Sequence, residues 1–443
     1  MTPRKSTFYY MFFRLISKFI TYFLLLILAN LYLVDDYGKA SFVLSVYYLL
    51  NNFIFLGLPL AFVPFIVKKK HIKSIFNFLL VLTIISTVAG VILSLKYIWL
   101  LPLALSIPFY FFANICFSIF RAKHRHHLVQ FFELGMIITP LILVLIFRNL
   151  GFKGIVWAYS VGFILSSVFA MLYIRKELAK LVSGKKIKNI FAGIKPYLKQ
   201  AIPVAFIGIS FSILGRLDST ILGMLSTYEN VAKYNIAMPI AELITIMPFG
   251  IGMFLLTKTA EIGNKKSSKE ILDKAVRLSF SMCLIASVII CSLIGLLLRL
   301  LFPKYIGTEF YVMILLMGLV LNSIYILVYS YLVGKMESKK ALFPIILSVV
   351  VNIALDIALI PKFGLLGICI GTTIAQFTAF ILLARNYWKI LFFIPFIPLS
   401  FYLGYYGILV ILVLVPLLFL FKMIRIDDIK TIQRTIRDIA GKS

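Results

Sequence analysis

Negatively charged residues are scarce in this chain. Its 443 residues include 16 Asp and Glu against 45 Lys and Arg, and charged residues of both signs make up only 14%. The hydrophobic fraction of 62% and the mean hydropathy of +1.04 exclude an ordinary soluble globular protein. We therefore expect an integral membrane protein.

Cysteine is also rare, and its positions exclude a disulfide or zinc framework. All four cysteines fall inside predicted helices and none forms a CxxC pair, so we interpret them as packing residues. The connector RAKHRHH at 121–127 contains three histidines but no acidic or cysteine partner. We predict no metal site there and interpret the connector as a basic surface that faces lipid headgroups.

Long aqueous loops and catalytic signatures are missing as well. The longest loop on the predicted outer side runs only from Arg299 to Glu309, and no Walker, HExxH or GxSxG pattern occurs. No loop is long enough to form a basic nucleic-acid-binding domain. The sequence therefore favours neither an enzyme nor a nucleic-acid-binding protein.

Apolar stretches long enough to span a bilayer recur along the whole chain, and we count fourteen. If the N-terminus is cytoplasmic, the inner segments hold 36 of the 45 Lys and Arg and the outer segments hold only 8. This asymmetry follows the positive-inside rule, so the strong net positive charge reflects topology. We predict an all-α polytopic membrane protein with both termini in the cytoplasm and a multi-pass location in the cell membrane.

An internal repeat divides the predicted helices into two halves. The segments IFRNLGFKGIVWA at 146–158 and LIPKFGLLGICIG at 359–371 align without gaps at an offset of 213 residues. This offset places Gly151 on Gly364, and Gly154 on Gly367. Two six-helix lobes joined by a cytoplasmic connector are a common transporter plan, with the substrate path at the lobe interface. The predicted parts are an N-terminal lobe at 1–174, a basic linker at 175–199, a C-terminal lobe at 200–386, two extra helices at 387–421 and a cytoplasmic tail at 422–443.

The predicted helix at 200–225 carries Arg216 and Asp218 inside a long apolar run. Each ionised side chain costs about 2.5–3.5 kcal/mol at the centre of a bilayer, so such residues normally face a bundle interior or a watery cavity. Residues two apart on a helix point to different sides, so we expect the two side chains to find separate partners. Glu242 on the next predicted helix lies at a depth where it could meet Arg216.

Several stretches carry a resemblance to a known family. In the second half they are Gly334 and Lys335, Asn352, the LIP at 359–361, the pair Phe363 and Gly364, and the small residues Gly367 and Gly371. The first half adds DDYGKASF and LGLPLAFVPFIV, and the helix at 200–225 adds LDSTILGMLS followed by KYNIA. Together these stretches resemble Wzx-like polysaccharide flippases of the MOP/MATE exporter superfamily. The resemblance implies a V-shaped pair of six-helix lobes that translocates lipid-linked oligosaccharides outward by alternating access.

Such a substrate would require a cationic, hydrated site. A polyprenyl-diphosphate-linked oligosaccharide presents a diphosphate, for which the planar guanidinium of Arg216 is suited. The remaining predicted substrate-binding residues are Asp218, Glu242, Arg14, Lys18, Asn51 and Asn52. Arg14 and Lys18 are also explained as positive-inside anchors, and Glu242 with Arg216 as a static ion pair. A proton or sodium site at Asp218 or Glu242 is a further alternative, and no other cofactor is expected.

Other substrates and partners stay open at this point. A multidrug exporter and a lipid II exporter of the same superfamily are alternatives, because fold alone does not give substrate. The absence of an acidic residue from 21–34 in helix one favours an anionic substrate over cationic drugs. A membrane glycan polymerase, which would be an enzyme, is a less favoured alternative. The expected partners are the glycolipid, membrane lipids, and glycosyltransferases and a polymerase of the same pathway.

Overall fold

The described part of the chain is helical throughout its regular secondary structure. The structure, a computed structural model, describes residues 3–55, 58–68, 71–123, 125–182, 194–198, 216–262, 266–335, 337 and 339–424. Within these ranges nine helical stretches are long and apolar enough to cross a membrane, and the shorter apolar helices Ile16–Leu31 and Gly404–Leu420 accompany them. The predicted all-α polytopic fold class is confirmed. The count of fourteen spans, the location of the termini and the domain boundaries stay predictions.

The chain forms two compact units, Met1–Ala232 and Lys233–Ser443. The first unit contains nine helices among its described residues and the start of a tenth. They are α1 (Pro3–Leu31), α2 (Val34–Phe55), α3 (Leu58–Val67), α4 (Ile72–Lys96), α5 (Leu101–Ala122), α6 (His126–Ile146), α7 (Phe152–Tyr173), α8 (Arg175–Val182), α9 (216–225) and α10 (Tyr228–Glu242). Within this unit α7 packs against α5 and α6, α1 packs on α6, and α2 contacts both α4 and α7.

The second unit begins within α10 and is built around one central helix. Its further helices are α11 (Ile246–Ile262), α12 (Lys266–Leu301), α13 (Glu309–Gly334), α14 (Lys339–Phe363), α15 (Leu365–Ala384), α16 (Phe396–Tyr402) and α17 (Val410–Leu420). Most residues of α13 are buried, because α11, α12 and α15 all pack around it. The stretch at 387–421, predicted to hold two extra helices, is interrupted by 3-10 helix at Arg385–Phe393 before α16 and at Gly404–Leu409 before α17.

Pro59 lies where one helix ends and the next begins. Helix α2 ends at Phe55 and α3 begins at Leu58, which places Pro59 in the first turn of α3. Proline is tolerated in a first turn because its missing N–H would have no intrahelical partner there. The Ser118 hydroxyl on α5 donates a hydrogen bond to the Pro59 carbonyl, so the start of α3 is tied to a neighbouring helix.

The two repeat segments turn at equivalent glycines that adopt the same backbone conformation. Gly151 precedes α7 with φ 57° and ψ −140°, and Gly364 precedes α15 with φ 53° and ψ −123°. Side chains disfavour this region, so glycine is required at both hairpin turns. A Cβ on Gly154 would clash with the Phe147 carbonyl, and one on Gly367 would lie 2.6 Å from the Leu359 carbonyl oxygen. The gap-free sequence repeat therefore corresponds to a repeated helix-turn-helix geometry.

Candidate functional site

Arg216 lies at the first described position of α9 and contacts an aromatic ring. Its guanidinium carbon lies 4.6 Å from the centroid of the Tyr48 ring on α2, within the range of a cation–π interaction. The Arg216 side chain remains exposed, whereas Asp218 is only 1% exposed. The prediction that these two side chains point to different sides of their helix is confirmed.

Close packing of α9 on α2 fixes this contact. The Thr220 hydroxyl donates to the Ser45 hydroxyl at 3.0 Å, and Gly223 lies directly against the Phe42 ring, where a Cβ would clash. Glycine at 223 lets the helices approach more closely than a larger residue would allow. As a result the Arg216 side chain, about two turns from Gly223, is held beside the middle of α2.

The start of α10 is fixed to the beginning of α2 in the same way. Gly38 lies against the Tyr228 carbonyl, where a Cβ would clash with the backbone oxygen. The rings of Phe42 and Tyr228 are 5.8 Å apart, and the Lys39 ammonium lies 5.8 Å from the Tyr228 ring centroid. Contacts with α2 are therefore made both by α9 and by the first residue of α10.

Beside Arg216, four tyrosines surround a single phenylalanine. The Phe163 ring on α7 lies between 5.7 and 6.3 Å, centroid to centroid, from Tyr47, Tyr48, Tyr110 and Tyr159. We call these five residues the tyrosine cluster. Tyr47 is fully buried and its ring stacks on Phe163, whereas Tyr48, Tyr110 and Tyr159 are half-buried. Part of the cluster is therefore exposed within the first unit.

Arg216 contacts this cluster through the ring of Tyr48. A guanidinium offers a fork of donors to phosphate oxygens, and phenolic hydroxyls add single hydrogen bonds. Aromatic faces pack against the apolar faces of other rings while their edges stay polar. This combination suits a ligand that carries both an anion and hydroxylated rings.

The other predicted site residues occupy different parts of the structure. Asn51 extends the cluster wall along α2; it is 2% exposed and donates to the Tyr47 carbonyl at 2.9 Å. Lys18 is exposed on α1, and Glu242 is half-buried at the end of α10 in the second unit. The side chains of Arg14 and Asn52 lie outside the described residues. A pairing of Glu242 with Arg216 would join the two units and stays a prediction.

The second unit contains a buried carboxylate, Asp356, that is not among the predicted site residues. Asp356 on α14 is 0% exposed, and the Asn352 amide donates to its Oδ2 at 3.1 Å. On α15, a Cβ at Gly371 would lie 2.6 Å from Asp356 Oδ1, and the neighbouring Thr372 is also buried. An acidic residue buried within a membrane-spanning helix is by default a candidate functional group.

The basic connector at 121–127 forms ion pairs through its described side chains. Arg121 pairs with Glu133 at 3.3 Å, and Lys123 pairs with Glu177 of α8 at 2.9 Å. Among the described residues, no group of three or more His, Cys, Asp and Glu is arranged to hold a metal ion. Glu133 also accepts a hydrogen bond from Gln130 at 2.5 Å, so it serves the packing of α5 on α6.

The apolar helices define a multi-pass integral membrane protein. Arg216 and the tyrosine cluster give it a polar candidate site. A sequence profile described as polysaccharide biosynthesis protein matches residues 4–256, more than half of the chain. The chain therefore belongs to the polysaccharide biosynthesis protein family. A second profile, described as MatE, matches residues 203–358.

Two relatives with similar sequences are also membrane proteins. An uncharacterized membrane protein of Methanocaldococcus jannaschii is 24% identical over 409 residues, covering 86% of this chain and 97% of the relative. A second one is 27% identical over 209 residues, which is 45% of this chain but only 39% of that relative's length.

Solved transporter structures share the fold at low sequence identity. The lipid II flippase MurJ in an inward closed conformation superposes with a TM-score of 0.75 at 17% identity, over 93% of this chain and 97% of MurJ. An inward-facing multidrug resistance MATE family transporter of the MOP superfamily gives 0.67 at 16% identity, over 84% and 94%. The predicted family resemblance is confirmed by the polysaccharide biosynthesis profile, and the fold is shared with solved proteins whose names are those of transporters.

Proposed function

We propose that this protein moves a polyprenyl-diphosphate-linked oligosaccharide from the inner to the outer leaflet of the cytoplasmic membrane by alternating access. The observation that carries the proposal is Arg216, an exposed cation held against Tyr48 within the tyrosine cluster of the first unit. An arginine among apolar membrane helices is costly unless it serves a polar ligand or pathway. The polysaccharide biosynthesis family assignment agrees with a glycan as cargo.

The chemistry of the cluster favours this substrate over a cation. Arg216 supplies a permanent positive charge and a bidentate fork for the diphosphate. Tyr48, Tyr110 and Tyr159 supply hydroxyls and ring faces, which sugars contact through hydroxyl groups and apolar C–H faces. A cationic drug would be repelled by Arg216. Glycosyltransferases that build the glycolipid and a polymerase that consumes it are the enzyme partners that this role implies.

Transport against a gradient requires an energy source, and the buried acidic residues are our candidates for it. A carboxylate that binds a proton or Na⁺ changes its charge state and can bias one conformation over another. Asp356, with Asn352 as its hydrogen-bond donor, is the buried carboxylate we place first. Asp218 and Glu242, which the sequence suggested for this role, stay candidates.

Lipid II and cationic drugs are the alternative cargoes, since the neighbours with this fold carry those names. The test is translocation in proteoliposomes loaded in parallel with a short-chain polyprenyl-diphosphate oligosaccharide, lipid II or a lipophilic cationic dye. Each is measured with and without a proton or sodium gradient. Our proposal expects movement of the oligosaccharide lipid. Movement of the dye alone would contradict an anionic substrate, and movement of lipid II alone would contradict the glycan assignment.

A further inference from the structure

A second concave surface lies on the first unit, away from Arg216. It is an apolar groove of about 410 Å³ between α6 and α7. The groove is lined by Phe131, Leu134, Gly135 and Ile138 of α6 and by Phe169 and Tyr173 of α7. We call it the lateral groove. No residue of the tyrosine cluster lines it.

The sequence of the two helices explains the shape of the lateral groove. Positions 131, 134, 135 and 138 share one face of α6 by their i, i+3, i+4, i+7 spacing. Gly135 forms the floor, because a Cβ there would meet only the Ser166 hydroxyl, at 3.8 Å. Phe131, Phe169 and Tyr173 form the walls and are 54%, 62% and 56% exposed.

One end of the lateral groove is closed by tight helix packing. The hydroxyls of Thr139 and Ser166 lie 2.8 Å apart, and Gly162 packs directly on Pro140, where a Cβ would lie 2.7 Å from the proline ring. At the other end, Phe132 and Tyr173 make ring contact at 5.7 Å near the start of α6 and the end of α7. The groove is therefore a defined slot on membrane-spanning helices.

The end of the groove near Tyr173 is bordered by basic residues. Exposed Arg175 and Lys176 follow Tyr173 in the chain, and exposed Arg125 precedes α6. The ion pair between Lys123 and Glu177 joins these two segments. Across 121–133 and 173–177 the chain carries five basic and two acidic residues. We call Arg125, Arg175 and Lys176 the basic rim, and on our topology it faces the cytoplasmic leaflet.

We propose that the lateral groove holds a hydrocarbon chain of an anionic phospholipid whose phosphate binds the basic rim, as a resident lipid distinct from the transported glycolipid. An apolar slot on a membrane-spanning surface is filled by hydrocarbon, so the lateral groove suits the acyl chain of the lipid. Basic pockets at the cytoplasmic ends of membrane helices attract anionic headgroups, so the basic rim suits the phosphate of the lipid. The two features occur together at one end of the α6–α7 pair, and this coincidence selects an anionic lipid.

Native mass spectrometry of the full chain tests the proposal. The purified protein is exchanged into detergent containing equal amounts of phosphatidylglycerol and phosphatidylcholine with matched acyl chains. We expect one tightly retained phosphatidylglycerol, preferred over phosphatidylcholine by about tenfold or more given three basic groups near the headgroup. Equal retention of the two lipids would overturn the proposal.

Variants separate the tail site from the head site. Gly135→Leu fills the floor, and we expect it to abolish the retained lipid. Gly295→Leu on α12 is the matched control, because a Cβ there meets nothing within 4 Å. The double variant R175Q/K176Q keeps the tail site, so it should retain a lipid but lose most of the preference for phosphatidylglycerol. Undiminished phosphatidylglycerol retention by Gly135→Leu would overturn the proposal.

A second tail variant covers the case in which Gly135→Leu fails to fold. Phe169→Ser removes an exposed wall without adding volume, and we expect severalfold weaker retention. Glycolipid translocation by Phe169→Ser should persist, which distinguishes this site from the substrate site at Arg216. If Phe169→Ser instead retains phosphatidylglycerol normally but loses binding of a short-chain polyprenyl diphosphate, the groove holds the substrate tail and the resident-lipid proposal is wrong.

Discussion

The two units share a helix-turn-helix repeat but place different side chains on it. At the offset of 213 residues, His126 at the start of α6 falls on Lys339 at the start of α14, and Phe152 of α7 falls on Leu365 of α15. Two aromatic residues of the first unit align with polar residues of the second: Tyr159 aligns with Thr372, and Phe163 aligns with Gln376. The repeat therefore conserves the backbone while its chemistry diverges.

The buried carboxylate of Asp356 also differs between the two copies of the repeat. Asn352 and Asp356 of α14 fall on Thr139 and Leu143 of α6, so the buried carboxylate belongs only to the second copy. The first unit instead places a cation against an aromatic ring, through Arg216 and Tyr48, which both lie outside the repeated hairpin. We infer a division of roles in which the first unit binds the anionic substrate and the second binds the coupling cation.

The largest expected effect comes from removing the charge of Arg216. Charge-assisted hydrogen bonds contribute about 1.5–3 kcal/mol, so Arg216→Ala should weaken binding of a short-chain polyprenyl diphosphate by about tenfold to a hundredfold. Arg216→Lys keeps the charge without the fork and should be intermediate. Isothermal titration calorimetry in detergent measures both. Unchanged affinity in Arg216→Ala would remove this residue from the site.

The second prediction concerns the carboxylate of the other unit. Asp356→Asn preserves shape and the contact with Asn352 but removes the charge, so the response of transport to a proton or sodium gradient should fall by about tenfold or more. Binding of the polyprenyl diphosphate should be unchanged within about twofold. Transport rates with and without a gradient provide the measurement. A full gradient response in Asp356→Asn would exclude it as the coupling group.

The equivalent glycines test how far the structural repeat extends. Gly151→Ala and Gly364→Ala each place a side chain at a positive φ, so each should lower the free energy of unfolding by about 1–3 kcal/mol. Gly151→Ala should cost more, because its Cβ would also lie 2.9 Å from the Asp36 carboxylate. Thermal unfolding in detergent ranks them, with Gly250→Ala, which has open space, as control. No loss at either glycine would contradict the repeated turn.

A smaller effect is expected from one hydroxyl of the tyrosine cluster. Tyr159→Phe removes the hydroxyl and leaves the ring beside Phe163, 5.8 Å away, in place. The loss of one neutral hydrogen bond, about 0.5–1.5 kcal/mol, should raise the KM for the glycolipid by a few fold to about tenfold. Tyr159→Leu also removes the ring and should have the larger effect. Equal KM values for both variants and the native protein would show that the cluster does not contact the glycan.

The smallest effect is expected at the connectors before the repeated hairpins. A hydrogen bond from Lys123 lowers the pKa of Glu177, so this pair stabilises the first unit above the ordinary carboxyl pKa and is lost as the pH falls through the lowered value. Both side chains are partly exposed, so Glu177→Gln should cost at most about 1 kcal/mol at pH 7 and less in acid.

Thermal unfolding at pH 7 and in acid measures how much stability Glu177→Gln loses under each condition. The matched control is Glu337→Gln, because Glu337 pairs with Lys340 within a single connector, three residues away. An equal loss for Glu177→Gln at both pH values would contradict the titration of this pair.

The sequence predicted those features that depend on local pattern. The glycines at 151 and 364 were identified by the gap-free alignment of the two segments, and their positive φ in the structure explains why both are glycine. Arg216 and Asp218 were identified because charge is conspicuous in an apolar run. Helix α1 begins at Pro3, so the basic and aromatic first residues of the chain also belong to the helix.

Features that depend on tertiary contact were missed. Tyr48, Tyr110 and Tyr159 lie on three helices and are three of 23 tyrosines in the chain, so nothing local marks them as one cluster. Nothing in the sequence around Asp356 marks its carboxylate as buried, whereas in the structure α15 covers it at Gly371. Burial of this kind follows from a neighbouring helix and not from the residue's own sequence context.

The division of roles is tested most directly by measuring two quantities on the same two variants. Affinity for a short-chain polyprenyl-diphosphate oligosaccharide and gradient-stimulated translocation are measured for Arg216→Ala and Asp356→Asn, beside the native protein. We predict that Arg216→Ala loses affinity, and that Asp356→Asn keeps affinity but no longer responds to the gradient. Native affinity in Arg216→Ala together with lost affinity in Asp356→Asn would contradict the assignment of substrate to the first unit.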